Sequence, residues 1–92
     1  MEFKHESNRI YMGNEQGRAI AEVTFPEVKD GVVDINHTFV DESLRGQGIA
    51  GKLMKEAAEQ LRKENKKVIL TCPYAVGWFD KNKEYDDILE KK

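Results

Sequence analysis

The sequence has a single cysteine, Cys72, among its 92 residues, and it has no excess of basic residues. One cysteine excludes an internal disulfide and fits a reducing compartment, so a cytoplasmic location is predicted. The net charge of −2 argues against general nucleic-acid binding, which is typical of basic proteins. No apolar run approaches the roughly 18 residues that a membrane span requires. The opening MEFKHESNRI lacks the apolar stretch of a secretory signal. These absences predict a protein that binds neither nucleic acid nor membrane.

The overall composition is typical of one globular domain. Hydrophobic residues make up 39% of the chain, which is enough for a core, and charged residues make up 35%, which is enough for a polar surface. A chain of this length builds one hydrophobic core and has no room for a second. We therefore expect a single domain over residues 1–92.

The first half of the chain has the two-residue period of β-strands. Residues 18–25 place every second side chain, from Ala19 to Phe25, on one apolar face. The turn at residues 13–17 contains two glycines that can supply positive φ angles. The other candidate strands are Phe3–His5, Arg9–Met12 and Val32–Val40. Short turns between successive strands predict an antiparallel arrangement.

The second half changes to the period of a helix. From Ile49 onward, apolar residues form a stripe along one helix face, at positions 49, 50, 53, 54, 57, 58 and 61. Asn65 is the predicted stop. A short strand over Lys67–Cys72 is ended by Pro73, and a short helix is predicted over Ala75–Lys81. The last residues, YDDILEKK, are predicted to be helical or frayed.

A strand, a long helix and another strand in this order predict a right-handed crossover between parallel strands. The predicted fold is therefore α/β, of the α+β type. It has a mixed sheet of about five strands, an antiparallel N-terminal half and one parallel strand–helix–strand crossover.

The stretch GQGIAGKL, residues 46–53, fits three patterns of nucleotide sites. Its three glycines have the spacing G-x-G-x-x-G of the dinucleotide fingerprint. From Gly46 to Lys52 it also matches the P-loop pattern G-x-x-x-x-G-K and lacks only the Ser/Thr that follows the lysine. The third pattern, R-x-x-G-x-A from Arg45 to Ala50, is a diphosphate-binding signature. All three depend on glycines that let phosphates approach backbone N–H groups at the positive end of a helix.

The surrounding sequence decides between the three patterns. A dinucleotide site needs its first glycine directly after a strand, but the five residues DESLR separate Val40 from Gly46. A P-loop needs a hydroxyl after its lysine, but Leu53 stands there and belongs to the apolar stripe. The pattern from Arg45 to Ala50 follows a strand and precedes a long helix, as a diphosphate site requires. The third pattern is the one that the chain supports.

Three segments then carry a resemblance to a known family: HTFV, LRGQGIAGKL and CPYAVGWF. Their order resembles the GNAT superfamily of acyl-CoA N-acetyltransferases, in its small single-domain form, over roughly residues 32–85. The resemblance implies acetyl-CoA as the cosubstrate, held without a metal. It places the diphosphate of coenzyme A on backbone N–H groups of the signature loop, from Arg45, Gly46, Gln47, Gly48, Ile49, Ala50 and Gly51. It also implies backbone contacts from Phe39 and Val40 to the pantetheine arm, in a gap between splayed strands, with an amide near Val40 for the thioester oxygen.

Three side chains are candidates for acyl-transfer chemistry. His37 is a competent base near neutral pH, with Asp34 further back, although it can equally be hydrogen-bonded within the sheet. Cys72 lies at the end of a parallel strand, where a thiol can attack the thioester or protonate the departing thiolate. Small GNAT-like proteins carry a cysteine in this C-P-Y position, but a lone cysteine on an apolar strand is also typical of a core. Tyr74 is the alternative acid, since many superfamily members use a tyrosine.

The sequence therefore predicts an N-acetyltransferase-like protein that transfers an acetyl group to a small amine or a protein amino group. An acyl-CoA-binding module without turnover is the alternative, because Phe39 stands where related sequences carry an acid and because the chain is small. An ATP-using phosphotransfer protein is a third hypothesis, supported by Gly51-Lys52 alone. No motif indicates the acceptor or the oligomeric state.

Overall fold

The computed structural model describes residues 3–90, which form seven strands, two α-helices and two 3-10 segments. The strands are β1 (Lys4–Glu6), β2 (Arg9–Gly13), β3 (Ala19–Thr24), β4 (Glu27–Lys29), β5 (Val32–Ile35), β6 (His37–Val40) and β7 (Lys67–Leu70). The helices are α1 (Ile49–Lys63) and α2 (Pro73–Lys81), and the 3-10 segments are Glu42–Leu44 and Lys83–Ile88. Among the described residues, no helix combines the length and the apolar character needed to cross a membrane.

The mixed α/β fold is confirmed, with its strands arranged in two sheets. The larger sheet has the order β1-β2-β3-β6 and is antiparallel. The smaller sheet has the order β4-β5-β7, and β5 pairs with β7 in parallel. Since α1 lies between these two strands in the chain, the predicted parallel crossover is present. The structure has two more strands than the five expected. One is β4, which forms after Pro26, and the other arises because the predicted strand over Val32–Val40 is divided into β5 and β6.

One long hairpin belongs to both sheets. Its first arm consists of β3 and β4, and its second arm consists of β5 and β6. Thr24 lies opposite His37, and Glu27 lies opposite Val33. Between these two pairs the first arm has two residues, 25 and 26, whereas the second arm has three, 34 to 36. An extra residue of this kind is a β-bulge, which bends the strand and interrupts its pairing. The prediction of one unbroken strand over Val32–Val40 is therefore wrong.

The bulge also changes which side chains face the helices. Side chains alternate along a strand, so an unbroken strand would place His37 on the same face as Val33 and Ile35. In the structure Val33 and Ile35 are fully buried, whereas His37 and Phe39 are exposed. Thr38 takes the helix-facing position instead. Inserting one residue thus turns the side chains of β6 over relative to those of β5.

Helix α1 has the apolar stripe that the sequence predicts. Its buried residues are Ile49, Leu53, Met54, Ala57, Ala58 and Leu61. The predicted stop is confirmed, because the helix ends at Lys63 and Asn65 has a φ of 60°. The N-cap is Gly48, whereas the Asp41 carboxylate accepts from the Ser43 N–H (3.1 Å) and caps the preceding 3-10 segment.

The second helix joins the same core. Ala75 and Phe79 of α2 and Tyr85 and Ile88 of the C-terminal 3-10 segment belong to the hydrophobic cluster that contains the buried residues of α1. Both helices therefore pack on one side of the strands. At the end of the described chain, Leu89 bridges to β7 at Val68.

Two smaller predictions have different outcomes. In the turn at residues 13–17, only Gly17 adopts a positive φ (78°), because Gly13 ends β2. The predicted helical or frayed tail forms the 3-10 segment over Lys83–Ile88, and its last two residues lie outside the described part of the chain.

Candidate coenzyme and acyl-transfer site

The parallel strands of the smaller sheet separate at the bulge. The carbonyl of Ile35 accepts hydrogen bonds from the N–H groups of both Thr71 (3.2 Å) and Cys72 (3.1 Å). One residue later, the Asn36 N–H donates to the carbonyl of Thr24 (3.3 Å), and the chain continues beside β3. β6 is consequently the edge strand of the larger sheet, and a gap opens between it and the end of β7.

The loop before α1 presents main-chain N–H groups. Gly46 (φ 84°) and Gly48 (φ 71°) are in the left-handed region, which glycine adopts without strain. The Arg45 N–H closes the preceding 3-10 segment (3.2 Å), and the Lys52 N–H donates to the Gly48 carbonyl (3.1 Å). Within residues 3–90, the six N–H groups between them, those of residues 46–51, have no well-formed hydrogen bond to a carbonyl. They are the unsatisfied donors of a helix start and can hold an anion.

The two left-handed glycines of the loop have open surroundings. A Cβ atom built at Gly46 or Gly48 would meet no heavy atom within 4 Å. The dipole of the 15-residue α1 adds partial positive charge at this end, and the exposed Arg45 guanidinium lies in the same loop. A dianion such as a diphosphate matches both the geometry and the charge of the loop.

A cleft of about 370 Å³ connects this loop with β6. Its walls are formed by Thr38, Val40, Leu44, Arg45, Gly46, Gly48, Ile49, Ala50, Gly51 and Tyr74. The structure thus brings together most of the residues that the sequence assigns to the coenzyme. Phe39 and Gln47 do not line the cleft: the Phe39 side chain is 39% exposed, and the Gln47 amide donates to the Ser43 carbonyl (3.5 Å).

Cys72 lies behind this cleft as a free, buried thiol at the N-cap of α2. Its Sγ is 3.5 Å from the Oγ1 of Thr38. Burial raises the pKa of the thiol, but the Thr38 hydroxyl and the N–H groups of Ala75 and Tyr74 together outweigh burial, so the pKa is below its ordinary value. Neither N–H group forms a well-formed capping hydrogen bond. The thiol is therefore more easily ionised than a core cysteine in apolar surroundings.

Tyr74 reaches from α2 to the start of α1. A methyl group at Gly51 would stand 3.6 Å from the Tyr74 hydroxyl and 3.7 Å from Nε1 of Trp78. The Tyr74 side chain is exposed (43%), and the partial burial that remains raises the pKa of its hydroxyl. The hydroxyl is consequently protonated at neutral pH and available as a donor on the cleft wall.

The family profile described as GCN5-related N-acetyl-transferase matches residues 9–88. The chain belongs to this family. The match includes the bulged hairpin, the loop with its free N–H groups and both helices, so it covers the whole of the cleft.

Solved structures with the same fold agree with this family. A GCN5-like protein from Staphylococcus aureus, described as a candidate N-acetyltransferase, is 34% identical, with a TM-score of 0.80 over 99% of this chain and 89% of that one. The GNAT-family N-acetyltransferase YhbS from Escherichia coli, solved in complex with CoA, is 26% identical over 67% of this chain and 38% of that one, with a TM-score of 0.58.

Curated relatives cover less of the fold. The NATD1 proteins of Gallus gallus and Mus musculus are 39% identical over 51 residues, which is 55% of this chain and 46% of theirs. The match thus spans about half the length of these relatives.

In this N-acetyltransferase-family domain, His37 does not line the cleft. Its ring lies on the exposed face of the larger sheet, with Nε2 3.6 Å from a carboxylate oxygen of Glu22. Glu22 also accepts from Nε of Arg9 (2.6 Å). The alternation of a single strand could not show this orientation, because the bulge turns β6 over.

The cleft contains no carboxylate or imidazole among its lining residues in the described chain. Nor do residues 3–90 contain a group of three or more His, Cys, Asp or Glu side chains that could hold a metal ion. Thr38 and Leu44 are the lining residues that sequence reasoning missed, and Thr38 is the one with a polar side chain. Its position in HTFV carries no distinguishing signal, since only the bulge and the contact with Cys72 reveal it.

Proposed function

We propose that this domain binds acetyl-CoA and transfers the acetyl group to an amine. The observation that carries the proposal is the set of six N–H groups at residues 46–51 that have no well-formed hydrogen bond to a carbonyl, in a loop that lines one end of a cleft. These donors and the helix dipole would hold the diphosphate, with Arg45 adding positive charge. The CoA complex of the E. coli relative supports coenzyme binding by this fold.

The pantetheine arm would follow the free edge of β6. Within residues 3–90, the backbone of Val40 is free at this edge, whereas Phe39 pairs with Glu22 of β3, since the next alternate residue, Asp41, donates to the Ile20 carbonyl (2.8 Å). An extended chain of amides can pair with the backbone of Val40 as an added strand does. The amide near Val40 is the proposed donor to the thioester oxygen, which becomes negative as the carbonyl is attacked. This path ends at the gap, where Cys72 and Thr38 lie.

For the chemistry we propose a route through Cys72. The thiolate attacks the carbonyl carbon of acetyl-CoA, the carbon–sulfur bond to CoA breaks, and the departing thiolate takes a proton from Tyr74. The proton that Cys72 released returns to Tyr74 through solvent. The acceptor amine then attacks the acetyl-cysteine, the acetyl group moves to nitrogen, and the amine proton restores the thiol. His37, on the exposed sheet face, is the proposed base for an acceptor that arrives there as an ammonium ion: it takes the extra proton and passes it to solvent before the neutral amine enters the cleft.

The acceptor proposed is a small amine or a protein amino group. A cytoplasmic location is part of the same proposal, because a free thiol persists in a reducing compartment.

The binding step is tested by titrating isotope-labelled protein with CoA, ATP and NAD in parallel. We expect CoA to shift the amide resonances of residues 46–51 and of Val40, with weaker effects from the other two ligands. The Gly31 amide, in the turn between β4 and β5, serves as an internal control. Unmoved resonances over residues 46–51 in the presence of CoA would overturn the proposal.

The thiol route has a direct signature in the mass of the protein. Incubation with acetyl-CoA should add about 42 Da, the mass of an acetyl group in place of a proton, and Cys72→Ala should abolish this adduct. Full transfer activity in Cys72→Ala would exclude the thiol as an intermediate and leave direct attack by the amine.

The second candidate function is an acyl-CoA-binding module without turnover. The absence of any carboxylate or imidazole among the lining residues in the described chain favours it. Release of CoA from acetyl-CoA, measured by chromatography with a panel of small amines and lysine peptides, separates the two functions. Tight CoA binding with no loss of the thioester selects the binding module.

A further inference from the structure

The bulge in the hairpin brings two side chains together that are 34 residues apart in the chain. Thr38 belongs to β6 and Cys72 to the N-cap of α2, and their Oγ1 and Sγ atoms are 3.5 Å apart. Thr38 also lines the cleft, so the residue that contacts the thiol is itself part of the cleft wall. Without the extra residue in the second arm, Thr38 would point to the opposite face of the sheet.

We propose that Thr38 is a positioning residue for the Cys72 thiol, which orients it toward the cleft and stabilises its thiolate. This inference rests on the proposed function of the cleft, in which the thiol receives the acetyl group.

A hydroxyl suits this task because it both accepts and donates a hydrogen bond. While Cys72 is protonated, its S–H donates to the Oγ1 of Thr38. When the thiol ionises, rotation of the hydroxyl lets Thr38 donate to the sulfur instead, without any movement of the backbone. Hydrogen bonds to a charged group are stronger than neutral ones, so the pair favours the ionised form. Valine has nearly the same shape as threonine and offers neither bond.

Few ionisable groups act on this thiol. Tyr74 on α2 and Arg45 in the loop line the same cleft. On β5, the Asp34 carboxylate accepts from the Thr71 hydroxyl (2.8 Å), and on β6 the His37 ring faces Glu22 across the exposed sheet surface. A change at Thr38 leaves these groups in place, so its effect on the thiol can be measured separately.

The test is the pH dependence of alkylation of the free protein by iodoacetamide. Cys72 is the only cysteine in the chain, so the reaction reports on this thiol alone. The midpoint of the profile gives the pKa of the thiol, whereas altered accessibility changes the rate at every pH and leaves the midpoint in place. The variants are Thr38→Val, Thr38→Ala and Thr38→Ser. Thr71→Val is the matched control, because it removes a neighbouring hydroxyl that bonds to Asp34 and not to the thiol.

We expect Thr38→Val and Thr38→Ala to raise the midpoint by about one pH unit, which lowers the thiolate fraction at neutral pH about tenfold. Thr38→Ser should restore the wild-type midpoint, and Thr71→Val should leave it unchanged. A wild-type midpoint in the folded valine or alanine variant overturns the inference, and so does a serine variant that behaves like alanine. The alkylation is measured without coenzyme, so a failure of CoA binding in the titration above is a separate result.

Discussion

The two ends of helix α1 differ in how their polar groups are satisfied. At the N-terminus, Gly48 caps the helix without a side chain, and within the described chain the N–H groups of residues 46–51 have no well-formed hydrogen bond to a carbonyl. At the C-terminus, Arg62 donates to both carboxylate oxygens of Asp87 (3.1 and 2.5 Å), and its guanidinium lies 4.7 Å from the centre of the Tyr85 ring. One end is open and the other is tied to the last segment of the chain.

Tyr85 adds a hydrogen bond near the C-terminal end of α1, which we call the closed end, from within the core. Its side chain is 3% exposed, and its hydroxyl donates to the Glu59 carboxylate (2.5 Å). Capping residues and ion pairs stabilise helix ends, whereas free N–H groups bind anions. The comparison teaches that the side-chain bonds to the C-terminal 3-10 segment and the proposed ligand binding lie at opposite ends of one helix, so a mutation at the C-terminal end should change stability without changing binding.

The largest effect on stability is expected in the last turns of the helix. Leu61 is fully buried there, and Leu61→Ala should lower the free energy of unfolding by about 2–5 kcal/mol through the lost apolar contact and the cavity that remains. Denaturant unfolding measures this loss. The remaining folded protein should bind CoA with wild-type affinity. Lys63→Ala, an exposed neighbour, is the control, and a change of affinity in folded Leu61→Ala would break the separation of the two ends.

The next effect is on binding at the open end. Gly48→Glu places a carboxylate among the free N–H groups, where it occupies the anion site and repels the diphosphate, so CoA affinity should fall about 100-fold, or about 2.7 kcal/mol. Calorimetry measures the affinity. Gly17→Glu is a matched control because Gly17 has a similar φ (78° against 71°) and equally open surroundings, but it lies outside the cleft. Equal losses in the two variants would mean that general destabilisation of the fold, not a charge placed in the loop, causes the effect.

A smaller effect belongs to the closed end. Tyr85→Phe removes the hydrogen bond to Glu59 and should cost about 1 kcal/mol of stability at neutral pH. Its CoA affinity should equal that of the wild type.

The same hydroxyl makes stability depend on pH. The bond to the Glu59 carboxylate, together with burial, raises the pKa of Tyr85 from 10 to about 12. The folded state thus binds the phenolic proton more tightly than the unfolded state, so this stabilisation is complete below pH 10 and is lost as the pH rises to about 12. Urea unfolding across this range should show a larger loss in wild type than in Tyr85→Phe, because the raised pKa of Tyr74 contributes equally to both proteins. Parallel curves for the two proteins would contradict the assignment.

The smallest effect on binding is expected outside the cleft. His37→Gln changes a side chain on the exposed sheet face, paired with Glu22, and should leave CoA affinity within about twofold of the wild type. If His37 is the base for the acceptor, the variant loses turnover at neutral pH while its CoA affinity stays intact. A loss of CoA affinity would mean that the two faces of β6 are not independent.

The open end of α1 was predictable and the orientation of β6 was not. The helix over Ile49–Lys63 follows from a repeat of apolar residues, and the loop follows from glycines beside an arginine at the start of that helix. The predicted strand over Val32–Val40 contains the right residues, but nothing in their alternation marks a bulge. The sequence therefore predicts His37 as a candidate within the site and assigns no role to Thr38.

The sequence by itself determined the order of strands and helices, the amphipathic helix and a loop rich in free N–H groups, because each depends on residues that are neighbours in the chain. Only the tertiary structure decided which face of β6 meets the cleft. One hairpin pairs with partners in two different sheets, and the extra residue that accommodates this change turns Thr38 toward Cys72. Contacts between residues that are distant in the chain depend on how the sheets separate, and local periodicity contains no record of that separation.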